Sequence, residues 1–270
     1  TFGQYIETKS PIHKADPRVK MLLLIFVVVL IFLAQNMYGL FLSLVFIVMV
    51  VLVTKIPVKT YLKNLKAVLP IILLTSLINM FYGDADSGVL LEVWKFTITF
   101  GGLYRAVFMA LRIVLLIIIS SSLTYTTTPN DLTDGIEHIL SPLKFIGLKN
   151  AVHTLALMMT IALRFIPTLV EEAEKIMNAQ KARGADLESG TIIERIKALI
   201  PILIPLLISS VRRAYELAEA MECRCYNGGE GKTRMKQLKM TAVDFKIIVI
   251  TLIYGLAVIL LNIILSHKVE

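Results

Sequence analysis

The chain has 270 residues, of which 56% are hydrophobic, and a formal net charge of +8 at neutral pH. A soluble domain is nearer 45–50% apolar, by rough average, and the surplus here is gathered into long uncharged runs, which argues against a large soluble helical core. The cationic balance needs no nucleic acid to explain it, because a surface facing an anionic inner leaflet accounts for it.

Met21 to Thr54 is a run of 34 residues without a charge. A spanning helix needs about 17–25 mostly apolar residues, so this run holds two spans, with AQNMYG at 34–39 as the turn between them. The first apolar segment resembles the core of a signal peptide. The sequence AQN is a poor cleavage site, however, and a second apolar run follows at once, so the segment is expected to be retained as a span. Ala67–Gly83, Ile113–Asn130 and Ile247–Ser266 are also uncharged. Together these runs predict five spans, at about 19–35, 38–55, 66–82, 104–125 and 245–265. The expected fold class is therefore all-α, a polytopic membrane protein with a helical region between its fourth and fifth spans.

Lysine and arginine in the loops alternate in a way that sets the orientation. Lys9, Lys14, Arg18 and Lys20 precede the first span, and Lys55, Lys59, Lys63 and Lys66 follow the second. The first turn carries no cation, and the third loop sets Asp84, Asp86 and Glu92 against Lys95 alone. The N-terminus and residues 128–243 are predicted to be cytoplasmic and the C-terminus outside, in a plasma-membrane protein. The expected organisation is a membrane domain over 1–127, a cytoplasmic helical domain over 128–243 and a final transmembrane helix over 244–270.

Within the cytoplasmic region, Thr128 is a candidate N-cap and Pro129 a first helical residue. Leu132, Ile136, Ile139 and Leu140 share one face, which predicts a short amphipathic helix ending before Pro142. Asn150–Leu163 and Ala198–Val211 are uncharged runs of 14 residues each, too short for ordinary spans. Each is followed by a charged segment ending in an arginine between small residues: Ala182-Arg183-Gly184 and Cys223-Arg224-Cys225. The two arginines are 41 residues apart, and alanine stands four and ten residues before both, at Ala179 and Ala173 and at Ala220 and Ala214. This loose repeat predicts two long helices with similar ends. Arg183 alone reads as a C-terminal helix cation, with Glu171, Glu172 and Glu174 before it and Gly184 as terminator. The repetition favours a second reading, in which small neighbours let another protein approach while the guanidinium pairs with a carboxylate.

Cys223 and Cys225 read as small packing residues. The four histidines do not complete a metal-ligand pattern with them, and a reducing cytoplasm disfavours a disulfide. His13, Asp16 and Arg18 read either as capping and packing of the first helix or as the reactive cluster of a membrane-embedded enzyme. Arg105 and Arg112 share a face of the fourth span, and Arg112 lies well inside it, where a cation faces protein or water. The chain has no phosphate-binding loop, so ATP hydrolysis is not expected of it.

With these residues in view, the chain resembles the transmembrane T components of energy-coupling-factor transporters. GQYIETKSPIHKADPRVK, with Ser10, His13 and Asp16-Pro17-Arg18 before Lys20, resembles that family's opening. ALRFIPTLVEEAEKIMNAQKARGAD resembles its first coupling segment, and AMECRCYNGG stands where its second arginine motif falls, with cysteines replacing Ala and Gly. The resemblance implies a non-enzymatic coupling subunit without a cofactor or bound metal. It implies docking of the two arginine motifs on two ATP-binding-cassette ATPases, here expected to be non-identical, and a separate membrane S component that carries a vitamin or other micronutrient. A dedicated cobalt or nickel transporter remains an alternative within the family.

Overall fold

The structure, a computed structural model, describes residues 5–81, 89–93, 96–141, 149–185, 191–227 and 238–266. The uncharged runs are helical, and each of the five predicted spans coincides with a helix: α2 (Pro17–Leu33), α3 (Met37–Thr54), α4 (Val58–Phe81), α5 (Phe100–Thr126) and α9 (Ala242–Ser266), preceded by the single turn α1 (Pro11–Lys14). Proline opens α1 and α2, where its missing N–H costs nothing, and Ser10 and Asp16 cap them.

The boundaries differ from the expectation chiefly at α4, which starts eight residues before the predicted span. Hydropathy stops at the last lysine, but the helix does not. Lys59, Lys63 and Lys66 recur at helical spacing, and their aliphatic stems let the charges reach water from the first turns. The third loop also departs from expectation. It contains an antiparallel pair, β1 (Val89–Val93) and β2 (Phe96–Thr99), paired Val93 to Phe96 and Glu92 to Thr97, with an irregularity between Val89 and Leu91. Every long element remains helical.

The remaining helices are α6 (Pro129–Ile139), α7 (Lys149–Ala182) and α8 (Ile192–Cys223). α7 runs through Pro167, and α8 runs through Pro201 and Pro205. By length and composition α3, α4, α5, α7 and α9 could each cross a membrane. α2, with 17 residues, sits at the short end of that range. α7 is apolar only in its first half, and Arg164, Glu171, Glu172, Glu174 and Lys175 then follow, so it reads as a surface or partner-covered helix.

The chain divides into two compact units, one taking the described residues up to Leu132 and those from Leu238 onward, the other those from Thr133 to Asn227. In the first unit, Val27, Leu30 and Ile31 of α2 pack with Leu40 and Ile47 of α3, Leu115 and Ile119 of α5, and Tyr254 and Val258 of α9. Tyr254 stacks on Phe46 at 4.2 Å, and its hydroxyl meets Ser43 at 2.7 Å, so the one polar atom of the ring is satisfied inside the core. Leu22, Ile25, Val29 and Phe32 of α2 point outward at helical spacing, as a lipid-facing stripe does. α4 and α5 pair closely at Gly102, where a Cβ would collide with the Met80 carbonyl oxygen, while Asn64 donates to the Ser121 hydroxyl at 2.8 Å. In the second unit α7 and α8 pack together.

Candidate functional site

The two arginine motifs end their helices with the same backbone construction. At the end of α7 the Ala185 N–H returns to the Gln180 carbonyl at 3.0 Å and the Gly184 N–H to that of Lys181 at 3.0 Å. At the end of α8 the Tyr226 N–H returns to Met221 at 3.0 Å and the Cys225 N–H to Glu222 at 2.9 Å. This paired six-to-one and five-to-two pattern is the Schellman motif, and it places Arg183 and Arg224 at the same position, the last half-helical residue. The residue after each arginine takes the left-handed conformation, with φ 88° at Gly184 and φ 55° at Cys225.

The third residue of each motif is therefore constrained by backbone conformation as well as by size. Among the described residues a Cβ on Gly184 would meet nothing within 4 Å, so against them the glycine answers to its dihedral. Ala182, Arg183, Gly184, Cys223, Arg224 and Cys225 are all exposed. Among the described residues neither guanidinium has a partner in the chain. Both cysteines are free thiols. Among the described residues no three His, Cys, Asp or Glu side chains come together to hold a metal ion.

The polar residues of the N-terminal segment serve helix starts. The Ile6 carbonyl can only accept, so Nε2 of His13 donates to it at 2.9 Å, and Nδ1 accepts from the Ser10 hydroxyl at 2.6 Å. This arrangement uses the neutral ring, and burial pushes the His13 pKa below its ordinary value, partly offset by the Ile6 carbonyl. Asp16 accepts the Arg18 N–H at 2.9 Å as the cap of α2. Arg18 stacks its charge near Asp16, with Nε 3.8 Å from Oδ1, and donates to the Leu238 carbonyl at 3.4 Å. His13 and Asp16 thus act at the starts of two successive helices, an arrangement suited to holding the chain in place.

Asp244, which the sequence reading did not single out, organises the same corner. Its carboxylate accepts from the Asp16 N–H at 2.7 Å, the Thr241 N–H at 2.6 Å and the Thr241 hydroxyl at 2.8 Å. It is 1% exposed. The available signal was Thr-x-x-Asp at the start of an apolar run, a helix-opening pattern; its partner 228 residues away was not readable.

Arg112, inside α5, donates from Nη2 to the Ala34 carbonyl at 2.7 Å and lies 4.7 Å from the centre of the Phe108 ring. Asn262 of α9 donates to the neighbouring Leu33 carbonyl at 2.7 Å. Both satisfy carbonyls left open where α2 ends.

A family model described as cobalt transport protein (CbiQ) matches residues 8–235. A protein of Ruminiclostridium cellulolyticum named energy-coupling factor transporter transmembrane protein EcfT is 50% identical over 263 residues, covering 97% of this chain and 97% of the relative. Proteins of the same name from Clostridium kluyveri and Bacillus subtilis are 51% identical over 246 residues and 44% identical over 247 residues. The first pairing covers 91% of this chain and 90% of the relative. The second covers 92% of each.

Proposed function

The chain belongs to the cobalt transport protein (CbiQ) family and within it to the EcfT transmembrane components of energy-coupling factor transporters, and from that membership we propose that it couples two ATP-binding-cassette ATPases to a substrate-binding membrane partner. The observation that carries this reading is the pair of identically built, exposed helix ends, each presenting an arginine without a partner among the described residues. Arginine pairs bidentately with a carboxylate, so each tip fits a groove with an acidic residue. The tips differ in sequence, ARG against CRC, which fits two non-identical ATPases.

The chain is a multi-pass membrane protein with α6, α7 and α8 on the cytoplasmic side, the N-terminus inside and the C-terminus outside. ATP binding and hydrolysis in the partners change the spacing of their grooves, the tips follow, and the motion passes to an S component carrying a vitamin or other micronutrient. Work is transmitted only if the docked contacts differ in free energy between the two states. The apolar side chains exposed on α8, among them Ile193, Ile196, Ile200, Leu203 and Leu207, suit contact with lipid or with that membrane partner. ATP chemistry belongs to the partner subunits.

The test is affinity purification of the tagged chain with its ATPases. Losing one member of a desolvated charged pair costs about 2–5 kcal/mol, and a second tethered contact compensates through effective concentration. Arg183→Ala or Arg224→Ala alone is expected to impair transport and leave partial assembly. The double variant is expected to insert in the membrane and lose the ATPases. Lysine at either position rescues poorly because it lacks the planar fork. Fully assembled, transport-competent complexes from the double variant would overturn the proposal.

A further inference from the structure

Glu172 of α7 and Arg213 of α8 are 41 residues apart, the interval that also separates Arg183 from Arg224. They are equivalent positions of the loose repeat, and they touch. The Ser209 hydroxyl donates to one carboxylate oxygen of Glu172 at 2.5 Å, and Nη2 of Arg213 donates to the other at 2.6 Å. Ser209 and Arg213 are one helical turn apart, so they face α7 as a pair. They lie on a stripe of buried and half-buried positions along α8 with Ile202, Leu206, Leu217 and Met221.

The side chains of Arg213 and Glu172 are 38% and 23% exposed, and an ion pair of that exposure contributes little to global stability. Its consequence is geometric. Two oxygens held by two donors one turn apart resist both sliding and rolling of one helix against the other, because either motion breaks a charge-assisted bond. Arg183 lies eleven residues beyond Glu172, and Arg224 lies eleven beyond Arg213. At 1.5 Å per residue each tip stands about 16 Å from the tie, so a rotation of about 10° there moves a tip by about 3 Å. Because the two distances match, a rotation at the tie displaces both tips by similar amounts.

We propose that Glu172 is a positioning residue for ATPase docking, whose carboxylate, shared by Ser209 and Arg213, fixes the spacing of the two arginine tips. This rests on the docking function proposed above. The test uses the full-length chain in nanodiscs, with spin labels on cysteines introduced at the exposed Ala179 and Ala220 in a Cys223→Ser/Cys225→Ser background. Glu172→Ala and Arg213→Ala are each expected to broaden the tip-to-tip distance distribution. The exchange Glu172→Arg with Arg213→Glu is expected to narrow it again. In the complete complex the single variants keep their ATPases bound and lose transport roughly two- to thirty-fold, and the exchange recovers it. If Glu172→Ala fails to insert, the near-isosteric Glu172→Gln carries the same measurement. An unchanged distribution in the single variants, or an exchange no narrower than they are, would overturn the role of Glu172. Failure of the unmutated chain to retain ATPases would instead overturn the docking function, while the distances would still decide what Glu172 does.

Discussion

Cys225 holds a left-handed backbone, φ 55°, that costs an L-residue with a side chain about 1–2 kcal/mol. Replacing it with glycine relieves that strain and returns some conformational entropy to the unfolded chain. The net expected gain for Cys225→Gly is on the order of 1 kcal/mol, less than the strain itself. Amide exchange at residues 221–226 should slow, and assembly should be retained. Gly184→Ala should do the opposite at the end of α7, by about 1 kcal/mol, even though a Cβ there meets none of the described residues. Equal exchange rates in parent and variants would show that the left-handed cap does not govern how these ends open. Loss of bound metal together with activity in Cys223→Ala/Cys225→Gly would overturn the reading of the two exposed thiols as small spacers.

At the scale of elements, the starts of α2 and α9 are joined through one buried carboxylate. Asp244→Ala removes the acceptor for three donors, and leaving buried donors unpaired costs about 1–3 kcal/mol each when water cannot replace the partner. A lowered thermal midpoint is expected for the purified protein, with Asp244→Asn intermediate because its amide oxygen still accepts. A midpoint unchanged in both variants would mean that this corner contributes nothing to holding α9 against α2. Gly102 is a comparable constraint between α4 and α5, where the obstacle to a side chain is backbone, the Met80 carbonyl, and cannot step aside.

For the whole molecule, the alternation of cations between loops commits the proposal to one orientation. A cysteine in place of Gln35, exposed in the turn between α2 and α3, should react with an impermeant reagent added to intact cells. One in place of Lys59, exposed at the start of α4, should react only after permeabilisation, both in a Cys223→Ser/Cys225→Gly background. The reverse pattern would put the arginine tips on the wrong side of the membrane for cytoplasmic ATPases. α7 and α8 fall in one compact unit, so the bond between Glu172 and Arg213 lies wholly within it.

Several features are legible in the residues because their physics is local. Thirty-four uncharged residues in a row can satisfy their backbone in lipid as helices or as strands of a closed barrel, and runs of this length suit helices, so the spans follow from hydropathy. Thr128 before Pro129 places the start of α6, where the Asp131 N–H bonds the Thr128 hydroxyl at 3.2 Å, and Gly184 marks the end of α7 through its own dihedral. The start of α4 was not legible, because charged lysines continue a helix as readily as they end an apolar run. Tertiary structure alone decided which distant groups share a bond: Asp244 with Asp16, Arg112 with Ala34, Glu172 with Ser209 and Arg213. The 41-residue interval was visible in the arginines, yet that it also joins two helices at a point equally far from both tips depends on how α7 and α8 pack. Sequence spacing specifies neighbours only within an element, whereas packing selects partners between elements by shape and burial.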